Sequence, residues 1–136
     1  MTSEHELQLV GPLMTENVIT ISPMASLREA LRLMRAKDVK SLVVEKAHPH
    51  DAYGILTYSS ILQAIVAEDG DIDMANVYDV MSKPAISVPE SLEIKYAARL
   101  MVNQGIRRVI VLRNDELVGL LTMSDIVGSI LELADR

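Results

Sequence analysis

The sequence predicts a mixed α/β (α+β) chain made of two copies of one β-α-β-β-α unit. Shifting the chain by 67 residues pairs Leu33-Met34 with Leu100-Met101 without a gap. Beyond Glu45 the offset falls to 65, and Gly54-Ile55-Leu56-Thr57 then meets Gly119-Leu120-Leu121-Thr122. Two copies of one supersecondary unit usually bury their apolar faces on each other, so we expect a single fold that contains both.

Local patterns place the elements of the first copy. A β-branched run predicts a strand at Val18–Ile21, which Pro23 ends. Ser26 with Glu29 three residues later is typical of a capped helix start, and this helix should end near Asp38. Two continuous apolar runs predict buried strands, and a second helix opened by hydroxyl residues follows them. The strands are Ser41–Val44 and Tyr53–Leu56, Thr57 and Ser59 open the helix, and Ile61, Leu62, Ile65 and Val66 face inward.

The second copy repeats this order. Its elements are a strand at Ala85–Val88, a helix from Ser91 or Glu93 to Asn103, strands at Arg108–Leu112 and Leu117–Leu121, and a helix at Ser124–Leu133. Gly105 follows its helix where a left-handed residue is favoured. An acidic, turn-rich stretch separates the copies, and Asn76–Met81 predicts a short helical entry to the second. The domain prediction is a tail at 1–10, a first motif at 11–69, a connector at 70–76 and a second motif at 77–136.

Composition excludes several function classes. The 136 residues contain no Cys, which removes disulfides, thiolate metal sites and cysteine nucleophiles. With 13 Lys and Arg against 19 Asp and Glu, the net charge of −6 disfavours nucleic acid. No signal peptide or membrane-length apolar run is evident, so we expect a soluble, cytoplasmic protein with no membrane partner. His48 and His50 lack a third ligand, and no nucleophile has a base at suitable spacing, so we predict neither a metal site nor a catalytic residue.

The segment Thr122-Met123-Ser124-Asp125 carries the most chemical information. A strand that ends in hydroxyls and starts a helix presents amide N–H groups at the positive end of the helix dipole, which suits phosphate. Asp125 adds two acceptor oxygens suited to adjacent hydroxyls such as those of ribose. The alternative interpretation is that Ser124 or Asp125 only caps the helix. Similarly, Arg107-Arg108 and Lys40 could grip phosphate or could be solvated charges at strand ends.

Taken together, these residues resemble a tandem pair of CBS domains, the cystathionine β-synthase-type regulatory module also called a Bateman module. The resemblance runs from about Gly11 to Leu133. It is carried by Leu13-Met14-Thr15 with Val18-Ile19-Thr20-Ile21-Ser22-Pro23, by Val80-Met81-Ser82 with Ile86-Ser87-Val88-Pro89, and by the two Gly-x-x-Thr-x-Ser segments followed by Ser60 or Asp125. It implies two motifs that are related by a pseudo-twofold axis and packed through their sheets, with two clefts that commonly hold adenosine compounds.

The resemblance also assigns residues to the two clefts. The main nucleotide-binding cleft would combine Thr15, Ile19, Thr20, Val39, Lys40, Arg108, Thr122, Ser124 and Asp125. There, Asp125 would hold the ribose, Thr122 and Ser124 the phosphate side, and Ile19 and Val39 would flank the base. The second cleft would combine Ser82, Ile86, Ser87, Ile106, Arg107, Thr57, Ser59 and Ser60. Because Ser60 replaces the ribose carboxylate, we expect this cleft to be weaker, empty or differently liganded.

Two hypotheses from different functional classes follow. The first is a regulatory sensor that needs no cofactor, binds AMP, ADP, ATP or S-adenosylmethionine, and signals to an unknown effector protein. The second is a ligand-independent dimerisation or protein-interaction module with vestigial clefts. The resemblance implies a disc-like homodimer, with the helices Ser59–Val66 and Ser124–Leu133 as the dimer faces. An enzyme is the least favoured interpretation.

Overall fold

The computed structural model describes residues 8–135 and has two three-stranded sheets within them. The first sheet joins β1 (Thr20–Ile21), β2 (Ser41–Val44) and β3 (Gly54–Thr57). The second joins β4 (Ser87–Pro89), β5 (Arg108–Arg113) and β6 (Glu116–Thr122). In each sheet the first pair of strands is parallel and the second pair is antiparallel. The predicted mixed α/β class with two equivalent copies is confirmed.

Helices connect and flank these strands. They are α1 (Val10–Leu13), α2 (Leu27–Lys37), α3 (Tyr58–Ile61), which continues as a π-helix at Leu62–Ala67, α4 (Val77–Val80), α5 (Ile94–Gln104) and α6 (Met123–Leu133). The Ser26 hydroxyl accepts a hydrogen bond from the Glu29 amide at 3.1 Å and so caps α2 as predicted. Asp38 and Gly105 close α2 and α5 in the left-handed conformation, with φ of 53° and 65°. The predicted position of Gly105 is confirmed.

The chain forms two compact units, and each contains a short segment that belongs to the other copy in sequence order. The first-copy unit is Ile19–Ala85, and the second-copy unit combines residues 8–18 with residues 86–135. The exchanged segments are residues 8–18, which pack in the second-copy unit, and residues 77–85, which pack in the first-copy unit. Of the predicted tail at 1–10, residues 1–7 lie outside the described part of the chain. The division of the sequence into motifs at 11–69 and 77–136 stays a prediction. The two units are defined by which residues pack together, and this does not test where one sequence repeat ends and the next begins.

Equivalent hydrogen bonds attach the exchanged segment in each unit. In the second-copy unit, the Val10 amide donates to Leu92 O at 2.8 Å, and Thr15 exchanges backbone bonds with Leu120 at 2.8 and 3.0 Å. In the first-copy unit, the Val77 amide donates to Ala25 O at 2.8 Å. Ser82 likewise exchanges bonds with Ile55, both at 2.9 Å. Each segment therefore adds a strand-like pairing to the open edge of the last strand in its sheet.

The glycine of each Gly-x-x-Thr segment makes this pairing possible. A Cβ on Gly119 would collide with the Met14 side chain and would lie 3.1 Å from Thr15 O. A Cβ on Gly54 would lie 2.7 Å from the sulfur of Met81 and 3.2 Å from Ser82 O. The glycines are needed because the exchanged segment approaches the strand more closely than any side chain would allow.

The two cores are built from matching residues. Leu27, Ala30 and Met34 of α2 are buried in the first-copy core, and Ile94, Ala97 and Met101 of α5 are buried at the equivalent places in the second. All four residues of β2 are buried, as expected for a strand with both faces covered. These buried residues recur every three or four positions, so they define the core-facing side of both long helices.

Several predicted details differ from the structure. Tyr53 lies outside β3, and Ala85 and Ile86 lie outside β4, because strand pairing begins later than the apolar runs do. Val18 and Ile19 lie outside β1, because the chain turns at Glu16–Val18, although Ile19 O still accepts from the Val43 amide. Leu62 and Val66 were expected to face inward but are 60% and 65% exposed, whereas Ile61 is buried. The wide π turns that begin at Leu62 move the following side chains off the α-helical stripe.

The loop between β2 and β3, where the repeat offset changes from 67 to 65, has a structural role in the first copy. The Asp51 carboxylate accepts from the Ala47 amide at 2.9 Å and pairs with Lys83 at 2.5 Å. Both interactions favour the charged carboxylate, so the pKa of Asp51 is lowered well below its ordinary value. Since Ala85 also donates to Tyr53 O at 2.8 Å, this loop fastens the end of the exchanged segment.

Replacing either close-contact glycine should destabilise the protein. We expect Gly119→Ala and Gly54→Ala to lower the free energy of unfolding by about 1–3 kcal/mol each, because the added methyl group overpacks a backbone pairing. Chemical denaturation measured by circular dichroism checks this.

Gly128→Ala in α6 is the matched control, since a Cβ there meets no atom within 4 Å. It should raise stability by up to about 1 kcal/mol through helix propensity. Equal effects at all three glycines would contradict the close-approach explanation.

Candidate functional site

The junction of β6 and α6 is organised by a reciprocal cap. Thr122 Oγ1 accepts from the Asp125 amide at 3.1 Å, and Asp125 Oδ2 accepts from the Thr122 amide at 2.9 Å. The Met123 amide donates to Arg107 O at 2.8 Å. Thr122, rather than Ser124 or Asp125, is therefore the N-cap of α6, and Asp125 completes the capping box as the third residue of the helix. Whether Asp125 also holds a ligand stays a prediction. Capping occupies one carboxylate oxygen, and the other, Oδ1, has no hydrogen bond to a residue within 8–135.

Arg108 lies beside this cap. It is the cross-strand partner of Thr122 in the β5–β6 register, so both side chains leave the same face of the sheet. The guanidinium is partly buried, and this burial together with the neighbouring charge of Arg107 lowers the pKa of Arg108. No ion pair to Arg108 is formed among the described residues. A partly desolvated cation next to hydroxyls and a helix N-terminus favours an anionic ligand.

The first copy has the same cap without the charges. Thr57 Oγ1 accepts from the Ser60 amide at 3.3 Å and lies 3.0 Å from Ser60 Oγ. Ser41 is the cross-strand partner of Thr57 and is buried. Ser60 therefore replaces Asp125, and Ser41 replaces Arg108. Our sequence interpretation missed Ser41, although the 67-residue shift that defined the repeat pairs it with Arg108.

The structure divides the predicted main-cleft residues between the two units. Thr15, Arg108, Thr122, Ser124 and Asp125 lie in the second-copy unit. Thr15 pairs with Leu120, two residues before Thr122, and Arg108 is the cross-strand partner of Thr122. These five residues therefore surround the end of β6, and we call this region the edge of the second-copy unit. Ile19, Thr20, Val39 and Lys40 lie in the first-copy unit. Thr20 Oγ1 donates to Glu45 at 3.2 Å, and Lys40 is exposed at the turn before β2.

The residues predicted for the weaker cleft are divided in the mirrored way. Thr57, Ser59, Ser60 and Ser82 lie in the first-copy unit, and Ile86, Ser87, Ile106 and Arg107 lie in the second-copy unit. Ser82 uses its backbone to pair with Ile55, and its side chain is exposed. The ligand contacts assigned to both sets stay predictions.

A separate apolar hollow lies on the surface of the first-copy unit. Its volume is about 380 Å³, and it is lined by Tyr58, Ser59, Ile61, Leu62, Ile65 and Val66. All six residues lie on α3 and the π-helix and line the same hollow, so they form one face of this helical segment. The corresponding helix α6 also exposes apolar side chains, with Ile130 49% and Leu131 63% exposed.

Within residues 8–135 no group of three or more His, Asp or Glu side chains is arranged to hold a metal ion. No helix in this range is long and apolar enough to cross a bilayer.

Comparison with known proteins identifies the repeat. The family model for the CBS domain matches the chain twice, at residues 10–67 and 77–132. An uncharacterized protein of Methanopyrus kandleri is 37% identical over 121 residues, which are 87% of this chain and 60% of that protein. A CBS domain-containing protein of Bacillus subtilis is 31% identical over 114 residues, which are 83% of this chain and 79% of that protein. The chain spans only 42% of a further relative from Thermofilum pendens.

Solved structures show the same fold. A hexameric CBS-CP12 protein from bloom-forming cyanobacteria superposes with a TM-score of 0.85 at 36% identity, covering 89% of this chain and 67% of that one. An uncharacterized conserved protein from Pyrococcus horikoshii superposes with a TM-score of 0.81 at 26% identity, covering 96% and 95% of the two chains.

The capping role of Asp125 can be measured separately from any ligand. Asp125→Ala should lower the free energy of unfolding by about 1 kcal/mol, because the Thr122 amide loses its acceptor. Ser60→Ala at the equivalent place should cost only a few tenths of that, since Thr57 Oγ1 still accepts from the Ser60 amide. Urea denaturation compares the two variants, and equal losses would contradict the reciprocal cap as the cause.

Proposed function

Because the chain belongs to the CBS domain family, we propose that it is a regulatory module that binds an adenosine-containing ligand and signals its occupancy to an effector protein. The ligand class is AMP, ADP, ATP or a related compound such as S-adenosylmethionine. The observation that carries this proposal is the edge of the second-copy unit, where Arg108 has no anionic partner among the described residues and Asp125 keeps one carboxylate oxygen unbonded.

Each group at this edge has a role that its chemistry supports. The unbonded Oδ1 of Asp125 can accept from a ribose hydroxyl while Oδ2 keeps the cap intact. Arg108 can meet a phosphate group, and the exposed Ser124 hydroxyl can donate to it. Thr15 and Thr122 supply further hydroxyls nearby. The roles of Ile19 and Val39 at the base, and of Thr20 and Lys40 as polar contacts, rest on the family resemblance alone.

The proposal includes unequal affinity of the two copies. Replacing Asp125 and Arg108 by Ser60 and Ser41 removes both charged groups from the equivalent edge. A hydrogen bond to a charged group is worth about 1.5–3 kcal/mol, which corresponds to roughly ten- to a hundredfold in affinity. We therefore propose that the second-copy edge binds the nucleotide more tightly.

Regulation would follow from differential affinity. A ligand shifts a conformational equilibrium only as far as it binds one conformation better than the other. We propose that the chain acts on its effector in this way and has no catalytic role of its own.

A second candidate function is ligand-independent assembly, which the exposed apolar face of α3 and the π-helix favours. Tyr58, Leu62 and Val66 are 51%, 60% and 65% exposed, and no charged residue interrupts this face. Contiguous exposed apolar surface of this kind commonly marks a protein interface. We propose that it and the apolar face of α6 support a homodimer.

Ligand binding can be tested without disturbing the cap. Asp125→Asn keeps an amide oxygen that can accept from Thr122 but removes the charge, so it should cost less stability than Asp125→Ala, with the remaining loss coming from the helix dipole. Calorimetry with AMP, ATP and S-adenosylmethionine should show about a tenfold or larger loss of affinity for the ligand that wild type binds.

Two further variants sharpen this experiment. Combining Arg108→Ser with Asp125→Ser reproduces the pattern of the first copy and should abolish the tighter site. Ser60→Ala is the matched control and should leave that site unchanged. If wild type binds none of the three compounds at millimolar concentration, the sensor proposal fails.

Assembly through α3 makes a separate prediction. Leu62→Glu should weaken self-association, because it places a charge in the apolar hollow. Val102→Glu on α5 is the control, since Val102 is 71% exposed and lies outside this face. Sedimentation equilibrium distinguishes the outcomes, and a monomeric wild type at high micromolar concentration would refute the homodimer.

A further inference from the structure

Hydroxyl side chains surround the end of β3 in the first-copy unit. Thr57 ends the strand, and Ser59 and Ser60 lie in the helix that follows. Ser41 is the cross-strand partner of Thr57, and Ser82 pairs with the same strand two residues before Thr57. We call these five residues the edge of the first-copy unit, because each is the repeat counterpart of a residue at the edge of the second-copy unit.

Two of the five positions differ in charge between the copies. Ser41 stands where the second copy has Arg108, and Ser60 stands where it has Asp125. The other three positions hold a hydroxyl residue in both copies. The edge of the first-copy unit is therefore built from hydroxyl residues alone, without a charged side chain among its members.

Neighbouring charges do not replace the missing groups. Lys83 is adjacent in sequence but pairs with the Asp51 carboxylate. Lys40 is exposed and precedes the first paired residue of β2, so solvent screens its charge. Arg108, by contrast, is partly buried within the register of its sheet. A partly desolvated cation is thus held at the edge of the second-copy unit and not at its counterpart.

Ser41 is a largely buried hydroxyl residue that has no hydrogen-bonding partner for its side chain within residues 8–135. Only 9% of the residue is exposed. In this part of the chain no fully buried side-chain oxygen or nitrogen lacks a partner, so the Ser41 hydroxyl lies where solvent still reaches it. Because buried polar groups are normally hydrogen-bonded, a ligand at this edge can supply the partner that the protein does not.

Thr57 and Ser60 form a neutral hydrogen-bonding pair beside Ser41. Their hydroxyl oxygens lie 3.0 Å apart, and Thr57 Oγ1 also accepts from the Ser60 amide at 3.3 Å. One O–H group is used within this pair, and the other remains available to a ligand. Ser59 and Ser82 are exposed and can either donate or accept. Such a set suits groups that both donate and accept hydrogen bonds, as the hydroxyls of ribose do.

We propose that the edge of the first-copy unit binds a phosphate-free, uncharged nucleoside such as adenosine in preference to a nucleotide. The nucleoside class rests on the proposed function, since the two edges are repeat counterparts. A phosphate monoester carries about 1.5–2 negative charges at neutral pH, and desolvating it without a cation is costly. Arg108 meets this charge in the second copy, whereas Ser41 does not. The chain thereby responds to the ratio of nucleotide to nucleoside, and not only to the amount of one ligand.

The test compares adenosine with AMP and ATP on the full chain, by calorimetry and by ¹⁵N amide shifts. Adenosine should shift the amides of Ser41 and Ser60 at concentrations at which the nucleotides leave them unchanged, with a preference of about tenfold or more. The nucleotides should shift the amide of Asp125. The variant that combines Arg108→Ser with Asp125→Ser should lose the nucleotide response and keep the adenosine shifts at Ser41 and Ser60.

Substitutions at the edge of the first-copy unit test it from both directions. Ser41→Ala should weaken adenosine there about threefold to tenfold and leave the nucleotide response unchanged. Ser60→Asp should tighten adenosine but not AMP, because it adds a ribose acceptor without adding a cation. Ser91→Ala is the matched control, since Ser91 is exposed and belongs to neither edge.

Three outcomes overturn the proposal. The first is that AMP shifts Ser41 and Ser60 as readily as adenosine does. The second is that adenosine shifts only the edge of the second-copy unit, and the third is that adenosine binds nowhere at millimolar concentration. In each case the nucleotide response at Asp125 judges the proposed function separately, so the two proposals can fail independently.

Discussion

The attachment of an exchanged segment to the edge of each sheet is the contact on which the rest of the structure depends. Met14-Thr15 and Met81-Ser82 reach backbone partners at Leu120 and Ile55 only because Gly119 and Gly54 have no side chain. A buried edge with unpaired amides is costly, so this pairing satisfies β6 and β3 as well as fixing the segment. It also holds Thr15 beside the strand that ends in Thr122 and leads to Asp125.

The helix caps of the two copies share one hydrogen-bond pattern but differ in charge. Thr57 and Thr122 hold the first turn of α3 and α6 through equivalent hydroxyl bonds. The second copy adds a carboxylate that completes the cap with one oxygen and a guanidinium that remains without an acidic partner among the described residues. Because the cap needs only one acceptor, the second oxygen of Asp125 is available to other chemistry at no structural cost.

The helices and strands could be predicted well from the sequence, because the spacing of apolar residues along one element shows which of its faces is buried. The core stripes of α2 and α5 and the left-handed Gly105 follow directly from spacing. The exchange of segments between units could not be predicted from spacing. It depends on a backbone pairing between residues far apart in sequence, such as Thr15 with Leu120. The π-helix after Ile61 could not be predicted either, because the number of residues per helical turn there depends on packing rather than on composition. Ser41 could have been predicted from the repeat, which pairs it with Arg108, but a serine within an apolar strand carries no charge that would single it out.

The π-helix at Leu62–Ala67 has a further consequence. Past the first turn, the helix that follows β3 presents its side chains at a different angular spacing from α6, which is α-helical throughout Met123–Leu133. A partner that recognises one of these helices by the spacing of its apolar residues will therefore fit the other poorly. The two helices occupy equivalent places in the repeat and yet present different apolar surfaces to a partner.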